Sequence, residues 1–543
     1  MQEVFDYVIV GAGSAGCVLA NRLSADPQVR VLLLEAGPRD NHLWIHVPIG
    51  FYRTVYNPTY NWGYVTEPDA HSNHRAMGWP RGKVLGGSSS INGLLYIRGQ
   101  HEDFDGWREL GNEGWGARDV LPYFIKSESQ QRGADAFHGT DGPLGVSDAW
   151  ATDALSDAFI QAAGELGIAR NDDFNGARQE GAGYYQLTTR RGRRASTAKA
   201  FLEPAMQRAN LVVRTGATAT RIVMEGRRAV GIDYLHAGGK QRALAAREVV
   251  LSGGVVNSPQ LLQLSGIGPA ALLQQHGIAP LVDLPGVGEN MQDHYNAYNL
   301  NETHARATWN IQSRQLGWKL RSGLQYLSGT GPLTVGSARA GIFARSRPEL
   351  ARPDIQLYFL LFTTDGSSAK LDRASGFTMA VCQLRPESRG SIHIKSNDPM
   401  VAPAIATRYL SHPLDQRTLV DGIRMTERLA ATRALGQYVS RPIRPLPGQT
   451  DEQLLAFAQA TGRTVFHGCG TCKMGPDPLA VVDSQLRVHG IEGLRVADAS
   501  IMPTLVSGNT NAATIMIGEK AADLILRANT GAARPVSAAA LAA

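Results

Sequence analysis

The chain is poor in cysteine, has no strong excess of charge of one sign, and each shortage excludes a class of protein. Its 543 residues contain four cysteines, too few for a disulfide framework at this length, so the sequence favours a reducing compartment. The 54 Lys and Arg against 48 Asp and Glu give a net charge of +6 with no long basic run. Nucleic-acid binding is therefore not indicated.

Long apolar runs are also missing. No stretch approaches the roughly 18 consecutive apolar residues that a membrane span requires, and the first apolar strand begins too close to Met1 for a signal peptide. We expect a cytoplasmic protein that is soluble or attached at most to a membrane surface. One weakly basic amphipathic segment contains Arg306, Arg314, Trp318, Lys319, Leu320, Arg321 and Leu324. Its pattern favours a solvated helix face, with contact to a membrane surface as the alternative.

The strongest positive pattern is a strand that leads into a glycine-rich turn and a helix. Residues 7–10 (YVIV) are typical of a buried parallel strand, and residues 11–16 (GAGSAG) have the spacing G-x-G-x-x-G. Gly11 permits the tight turn, Gly13 lets a pyrophosphate approach the backbone, and Gly16 lets the helix pack closely on the sheet. The helix N-terminus then faces the phosphates.

A second apolar strand, residues 31–34, ends in Glu35. A carboxylate at this position accepts hydrogen bonds from the ribose hydroxyls of an adenosine. Glycines, strand, helix and terminal acid together predict a dinucleotide site. The alternative is an ordinary strand–helix–strand turn, because glycine-rich turns are common.

A second glycine-rich segment, residues 82–92, contains too many small residues for a helix interior and is typical of an anion-binding nest. Together with residues 7–35 it resembles the first signature of the glucose-methanol-choline (GMC) flavoprotein oxidoreductases. Residues 254–268 resemble the second signature, apart from Val255 where a small residue is usual. Residues 286–294 are similar to the next block of the family.

The resemblance implies an α/β protein of mixed α+β character with the GMC fold: a Rossmann-like FAD-binding domain with a β-meander, and a substrate-binding lobe of antiparallel sheet and helices. We expect a discontinuous FAD-binding domain at 1–155, 195–294 and 465–529, a substrate-binding domain at 156–194 and 295–464, and a mobile tail at 530–543. Alternation of apolar residues places the meander between residues 211 and 251.

The candidate catalytic residues lie near the C-terminus. Residues 481–514 resemble the family's last block, and by that resemblance His467 and Asn511 match its catalytic pair. Imidazole has the pKa range needed to take the hydroxyl proton of an alcohol, and an amide donates to the substrate oxygen. Cys469 and Cys472 form a C-x-x-C, which more often marks two buried apolar side chains than a redox dithiol. His71 and His74 have no further ligands nearby in the sequence, and we predict no metal site.

The predicted cofactor is FAD. Some members of the family attach it covalently through a histidine before the asparagine of the first signature; this position is Ile91 here, so we predict non-covalent binding. By the same resemblance, the residues expected to contact FAD are Gly11, Gly13, Ser14, Ala15, Gly16, Glu35, Ala36, Arg81, Gly82, Val84, Gly87, Ser88, Asn92, Gly93, Ala219, Ser252, Asp498, Ala499, Asn511, Ala512 and Thr514.

The resemblance implies oxidation of an alcohol to an aldehyde or ketone by hydride transfer to FAD, with a quinone-type acceptor favoured over oxygen. Candidate substrate contacts are Tyr358, Phe359 and Phe466, and with Phe362 they could form the aromatic cage that choline requires. Because no partner carboxylate can be assigned, we rank a primary alcohol or sugar-type polyol above choline. A cyanohydrin lyase and a silent flavin-binding protein on the same scaffold remain alternatives.

Overall fold

The computed structural model describes residues 3–364 and 370–528, so the tail predicted at 530–543 lies outside the described residues. The strands are β1 (Glu3–Val10), β2 (Val31–Glu35), β3 (Glu128–Gln130), β4 (Leu144–Val146), β5 (Gly181–Tyr184), β6 (Thr189–Arg190), β7 (Arg193–Arg194), β8 (Leu211–Thr215), β9 (Thr218–Glu225), β10 (Arg228–His236), β11 (Gly239–Leu251), β12 (Ile267–Gly268), β13 (Val282–Asp283), β14 (Tyr295–Thr303), β15 (Ala340–Ala344), β16 (Ile355–Leu360), β17 (Gly376–Gln383), β18 (Ser391–His393), β19 (Ala404–Ala406), β20 (Val439–Arg444), β21 (Arg463–Thr464) and β22 (Leu494–Val496).

The α-helices are α1 (Ser14–Leu23), α2 (Leu43–His46), α3 (Phe51–Thr54), α4 (His101–Glu109), α5 (Ala117–Ser127), α6 (Ala154–Glu165), α7 (Glu203–Ala205), α8 (Gly254–Leu264), α9 (Ala270–Gln275), α10 (Trp309–Gln312), α11 (Leu316–Leu327), α12 (Pro413–Ala431), α13 (Arg433–Gly436), α14 (Asp451–Thr461) and α15 (Asn511–Ala528). Within the described residues, no helix combines the length and the apolar character needed to cross a bilayer.

The first sheet combines a parallel half with an antiparallel half. Its strand order is β8-β2-β1-β11-β10-β9, and β22 adds to β11 in parallel. Every residue of β2 is buried, as expected for a parallel strand covered on both faces. The predicted meander is confirmed for β9, β10 and β11, and the returning strand β11 is long enough to pair with both β10 and β1. The strand at residues 211–215, predicted as part of the meander, pairs instead in parallel with β2 at the other edge of the sheet.

The second sheet is antiparallel, in the order β20-β14-β17-β16-β15-β5, with β21 beside β14. Helix α12 packs on β17, and α6 packs on β15. Strands β18 and β19 lie outside this sheet and form a separate two-stranded sheet. The predicted mixed α/β fold is confirmed, whereas the exact domain boundaries stay a prediction.

Helices α1 and α15 hold the start of the first sheet in place. A Cβ on Gly16 would overlap the carbonyl oxygen of Gly11, and a Cβ on Gly518 of α15 would lie 3.0 Å from the Cα of Ala15. Only glycine therefore permits this packing of turn and helices. The N-termini of α1 and α15 consequently start beside each other, at the ends of β1 and β2.

Candidate active site

A cavity of about 1200 Å³ lies between the two sheets. Its walls include Leu34 and Leu251 at the ends of parallel strands and Tyr358 and Ala380 from the second sheet. Ligand pockets for small molecules typically have volumes of about 300–1,000 Å³. The cavity therefore has room for a dinucleotide together with a small substrate.

The glycine-rich turn after β1 forms one end of this cavity. Gly11 has a φ of 98°, and a Cβ there would overlap the carbonyl oxygen of Ser252. Ser14, the first residue of α1, donates from Oγ to Oδ1 of Asn511, the first residue of α15, at 2.8 Å. Two helix N-termini thus meet at the cavity wall, where their dipoles favour negative charge.

Glu35 is buried at the end of β2 and lines the cavity. Its two oxygens accept hydrogen bonds from the backbone N–H groups of Ala12 (2.9 Å) and Gly37 (2.8 Å). Burial raises the pKa of Glu35 to about 7, and these two hydrogen bonds act in the opposite direction. Each carboxylate oxygen keeps acceptor capacity, so a ribose hydroxyl fits here.

Arg81 lines the cavity and has one buried donor without a partner among the described residues. Its guanidinium carbon lies 3.9 Å from the ring centroid of Trp79, and Nη1 donates to the carbonyl oxygen of Phe466 at 2.9 Å. Within the described residues the buried Nη2 has no hydrogen-bond partner. Burial lowers the pKa of Arg81.

Most of the residues predicted to contact the cofactor line this cavity: Gly11, Gly13, Ser14, Ala15, Glu35, Ala36, Arg81, Gly82, Gly87, Ser88, Asn92, Gly93, Ala219, Ser252, Asp498, Ala499, Asn511 and Thr514. Three others support the walls without lining them. Gly16 faces the Gly11 carbonyl, Val84 packs with Ile45 and Ile91, and Ala512 is part of the main hydrophobic core.

The side chain of His467 is the end of a hydrogen-bonded chain that runs from the carbonyl group of Leu384 through His294. His294 Nε2 lies 2.9 Å from the carbonyl oxygen of Leu384, an acceptor, so this nitrogen carries the proton. The other nitrogen of a neutral His294, Nδ1, is then an acceptor, and it lies 2.9 Å from His467 Nδ1. His467 must therefore donate from Nδ1, which leaves its Nε2 unprotonated.

The amide of Asn509 meets this free nitrogen. Asn509 Nδ2 lies 3.0 Å from His467 Nε2, and its Oδ1 accepts from Gln356 Nε2 at 3.4 Å. Gln356 in turn accepts from the hydroxyl of Tyr358 at 2.8 Å. Because both ends of the Asn509 amide have partners of the matching type, its orientation agrees with the tautomer assigned to His467.

Both histidines are neutral in this arrangement. Burial, with smaller contributions from the charges of His294 and Arg81, lowers the pKa of His467 well below its ordinary value of 6.5. Burial likewise lowers the pKa of His294. The site thus holds a neutral imidazole with an unprotonated Nε2, which is the form that accepts a proton.

Asp293 fixes the backbone that presents this imidazole. Its Oδ1 accepts from the N–H of His467 at 2.7 Å. Its Oδ2 accepts from Trp79 Nε1 (3.0 Å), the Tyr409 hydroxyl (2.6 Å) and the Thr464 hydroxyl (2.6 Å). A buried carboxylate with four donors is strongly restrained, so the backbone at residue 467 has little freedom to move.

The structure differs from the sequence-based assignment at two positions. Asn511, predicted as the partner of His467, hydrogen-bonds Ser14, and the amide beside His467 belongs to Asn509. Phe359 does not line the cavity: neighbouring residues of a strand point to opposite faces, and Phe359 stacks on Phe159 in the core at 4.6 Å. Phe466 and Tyr358 both line the cavity.

Sequence reasoning gave no role to four polar residues around His467: Asp293, His294, Gln356 and Asn509. The first two lie in a block already noted for its resemblance, and Asn509 is two residues from the asparagine that was chosen. The cysteines at 469 and 472 are free, buried and have raised thiol pKa values because of that burial, which is unfavourable for a reactive dithiol.

GMC oxidoreductase family models match the chain over residues 5–296 and 386–518. The chain belongs to the GMC oxidoreductase family. This GMC protein is 45% identical over 529 residues to an alcohol dehydrogenase (acceptor) of Pseudomonas putida, with 96% of each chain covered. It is also 45% identical over 536 residues to an oxygen-dependent choline dehydrogenase of Escherichia coli, covering 96% of this chain and 95% of that one.

Solved structures with this fold include flavoenzymes. Pyridoxine 4-oxidase from Mesorbium loti has a TM-score of 0.87 and 31% identity, over 96% of this chain and 98% of that one. A variant of Aspergillus oryzae formate oxidase, solved to examine FAD modification, has a TM-score of 0.91 and 27% identity, over 97% and 99%. The family and these neighbours indicate FAD as the cofactor of the GMC protein, and Glu35, Arg81 and the paired helix N-termini offer matching groups.

Proposed function

We propose that this GMC oxidoreductase binds FAD non-covalently and oxidises a neutral primary alcohol to an aldehyde, with His467 as the base and Asn509 as its partner. The observation that carries the proposal is the unprotonated Nε2 of His467, which lies at the cavity and accepts from the amide of Asn509 at 3.0 Å. A hydroxyl group needs such a pair, because it donates its proton and accepts a hydrogen bond at the same oxygen.

In the proposed mechanism, the substrate hydroxyl enters between the two side chains. Asn509 Nδ2 turns from His467 to the substrate oxygen, and the hydroxyl proton passes to His467 Nε2. Bound FAD would supply the acceptor for the hydride that leaves the carbinol carbon. The chain itself supplies position: Asp293 restrains the backbone of His467, and His294 accepts from its Nδ1 and so keeps Nε2 free.

The wall on the substrate side favours a neutral alcohol. Near His467 it includes the aromatic, aliphatic or neutral polar side chains of Asn296, Tyr298, Tyr358, Leu360 and Phe466, together with the cations Arg81 and Arg463. Within the described residues, the carboxylates that line the cavity are Glu35 and Asp498. Glu35 stands at the ribose position predicted from the sequence, and Asp498 accepts from Ser258 and Gly254. Neither is placed to meet a quaternary ammonium group, which disfavours choline.

We further propose that the electron acceptor is a quinone-type compound. The two groups of relatives differ here by name, one being an alcohol dehydrogenase (acceptor) and the other an oxygen-dependent choline dehydrogenase.

Non-covalent FAD is supported by Ile91, which lines the cavity and has no nucleophilic atom. Acid precipitation should release all of the flavin into the supernatant; flavin that stays with the pellet would contradict non-covalent binding.

The test of the function is an anaerobic titration of the purified holoprotein with aliphatic primary alcohols, sorbose and choline, with absorbance at the oxidised-flavin band as the readout. Bleaching by a primary alcohol is expected, with an artificial quinone restoring the band. The variant His467→Ala should retain FAD, and its rate of flavin bleaching should fall by on the order of a hundredfold or more. Bleaching by choline alone, or unchanged bleaching in the variant, would refute the proposal.

A further inference from the structure

Helix α11 exposes a stripe of leucines to solvent. Leu316, Leu320, Leu324 and Leu327 are 71%, 63%, 70% and 83% exposed. At 3.6 residues per turn these four positions fall within about 80° of the helix surface, so they form one continuous apolar stripe. The opposite face of α11 contains Trp318 and Ser322, which line the cavity.

Basic side chains flank this stripe on both sides. Lys319 and Arg321 are exposed and lie on either side of the leucines around the helix axis. The turn between β6 and β7 packs against Gly329, just after α11. The turn contains the exposed Arg191, and the exposed Arg193 follows it as the first residue of β7. Across residues 3–364 and 370–528, none of these four cations forms a salt bridge.

The stretch of sequence that contains α11 has no acidic residue. Between Glu302 and Glu349 there is no aspartate or glutamate in the sequence. A solvated helix face would carry polar residues of both signs, as surface helices usually do. An apolar stripe with cations at its edges is instead the composition of helices that lie in a membrane interface, where leucines enter the acyl region and cations meet lipid phosphates.

We propose that α11, together with the β6–β7 turn, docks this protein on an anionic phospholipid surface. The occupant is a lipid bilayer because four leucines in one plane suit a flat apolar layer, and four cations that form no salt bridge within the described residues suit its anionic headgroups. Since Lys319 is both exposed and part of the cavity wall, the docked face lies at a mouth of the cavity. Docking is independent of the reaction proposed above, and it needs no substrate.

The first experiment exploits the burial of all four native cysteines, which leaves an introduced surface cysteine free to be labelled alone. Leu324→Cys in the holoprotein is labelled with an environment-sensitive fluorophore, and Leu446→Cys, at a leucine 58% exposed elsewhere, is the matched control. Vesicles of phosphatidylcholine with phosphatidylglycerol should blue-shift the fluorophore at 324 but not at 446. No shift at 324 would overturn the proposal.

The second experiment measures co-sedimentation of unlabelled holoprotein with the same vesicles. Leu320→Asp combined with Leu324→Asp should lower the partition coefficient by more than about tenfold, because the leucines that enter the bilayer supply most of the attachment. Arg191→Gln combined with Arg193→Gln should lower it by about fivefold for each charge, and added salt should do the same. Leu446→Asp should have no effect.

The remaining outcomes exclude other occupants of the stripe. Equal binding to vesicles of pure phosphatidylcholine would refute the role of the cations. A dimer that the double aspartate variant converts to monomer, with no vesicle binding by the original chain, would assign the stripe to a second copy. FAD content and circular dichroism verify that each variant is folded, so a loss of binding cannot be confused with unfolding.

Discussion

Replacement of His294 by alanine tests the arrangement around His467 most directly. His294 accepts from His467 Nδ1 at 2.9 Å and is itself held by the carbonyl oxygen of Leu384. Without His294, the Nδ1–H of His467 is a buried donor without a partner. Its proton then favours Nε2, the nitrogen that must receive the substrate proton, and the base is blocked.

The size of the effect follows from the cost of an unsatisfied buried donor, about 1–3 kcal/mol. A change of about 1.4 kcal/mol corresponds to a factor of ten in rate, so His294→Ala should lower kcat by about 5- to 150-fold. Glutamine has an acceptor and a donor on one side chain, and His294→Gln should therefore recover a large part of the loss.

Stopped-flow measurement of flavin reduction under anaerobic conditions gives the rate without interference from the acceptor. FAD content should remain unchanged in His294→Ala, because His294 does not line the cavity. His393→Ala is a matched control, since His393 contacts Glu289 and lies outside the cavity wall. An unchanged reduction rate in His294→Ala, or no recovery by glutamine, would refute the tautomer argument.

Three further predictions concern the roles of the asparagines, the protonation state and the turn after β1. Asn509→Ala should lower kcat/KM by about 10²- to 10³-fold with FAD retained, whereas Asn511→Ala should mainly lower FAD content; the reverse pattern would restore the sequence-based pair. Because the neutral form of His467 is active and its pKa is lowered, kcat/KM should stay level as pH falls through 6.5 and decline only below it. A pH profile with its acid limb at or above 6.5 would contradict this. Gly16→Ala should destabilise the fold by about 1–3 kcal/mol or more, because its Cβ overlaps a carbonyl oxygen. Gly164→Ala in α6, where a Cβ meets no atom within 4 Å, should leave Tm unchanged or raise it.

The two asparagines illustrate why the resemblance identified the region but not the partner. Asn509 and Asn511 are separated by one residue, and both are amides near the start of α15. Linear spacing from His467 does not distinguish them. In three dimensions, the helix begins at Asn511 and directs its side chain to Ser14, while Asn509 still lies on the loop that faces His467.

Phe359 shows the same limit for the second sheet. An apolar strand that is buried on both faces has no alternation in its sequence, so the side that faces the cavity cannot be read from it. Strand β16 is buried along nearly its whole length, and only its pairing with β15 and β17 fixes which side chains reach the cavity. Tyr358 does, and Phe359 stacks in the core.

The sequence by itself determined the parts of this protein that depend on local order. The strand, turn and helix between residues 7 and 35, the meander between residues 218 and 251 and the position of His467 result from glycine spacing, alternation and a contiguous motif. Tertiary structure alone decided which groups surround His467, because Asp293, His294, Gln356 and Asn509 come from segments far apart in the chain. Hydrogen bonds between such segments depend on how two sheets pack around one cavity, and this packing cannot be predicted from a local sequence pattern.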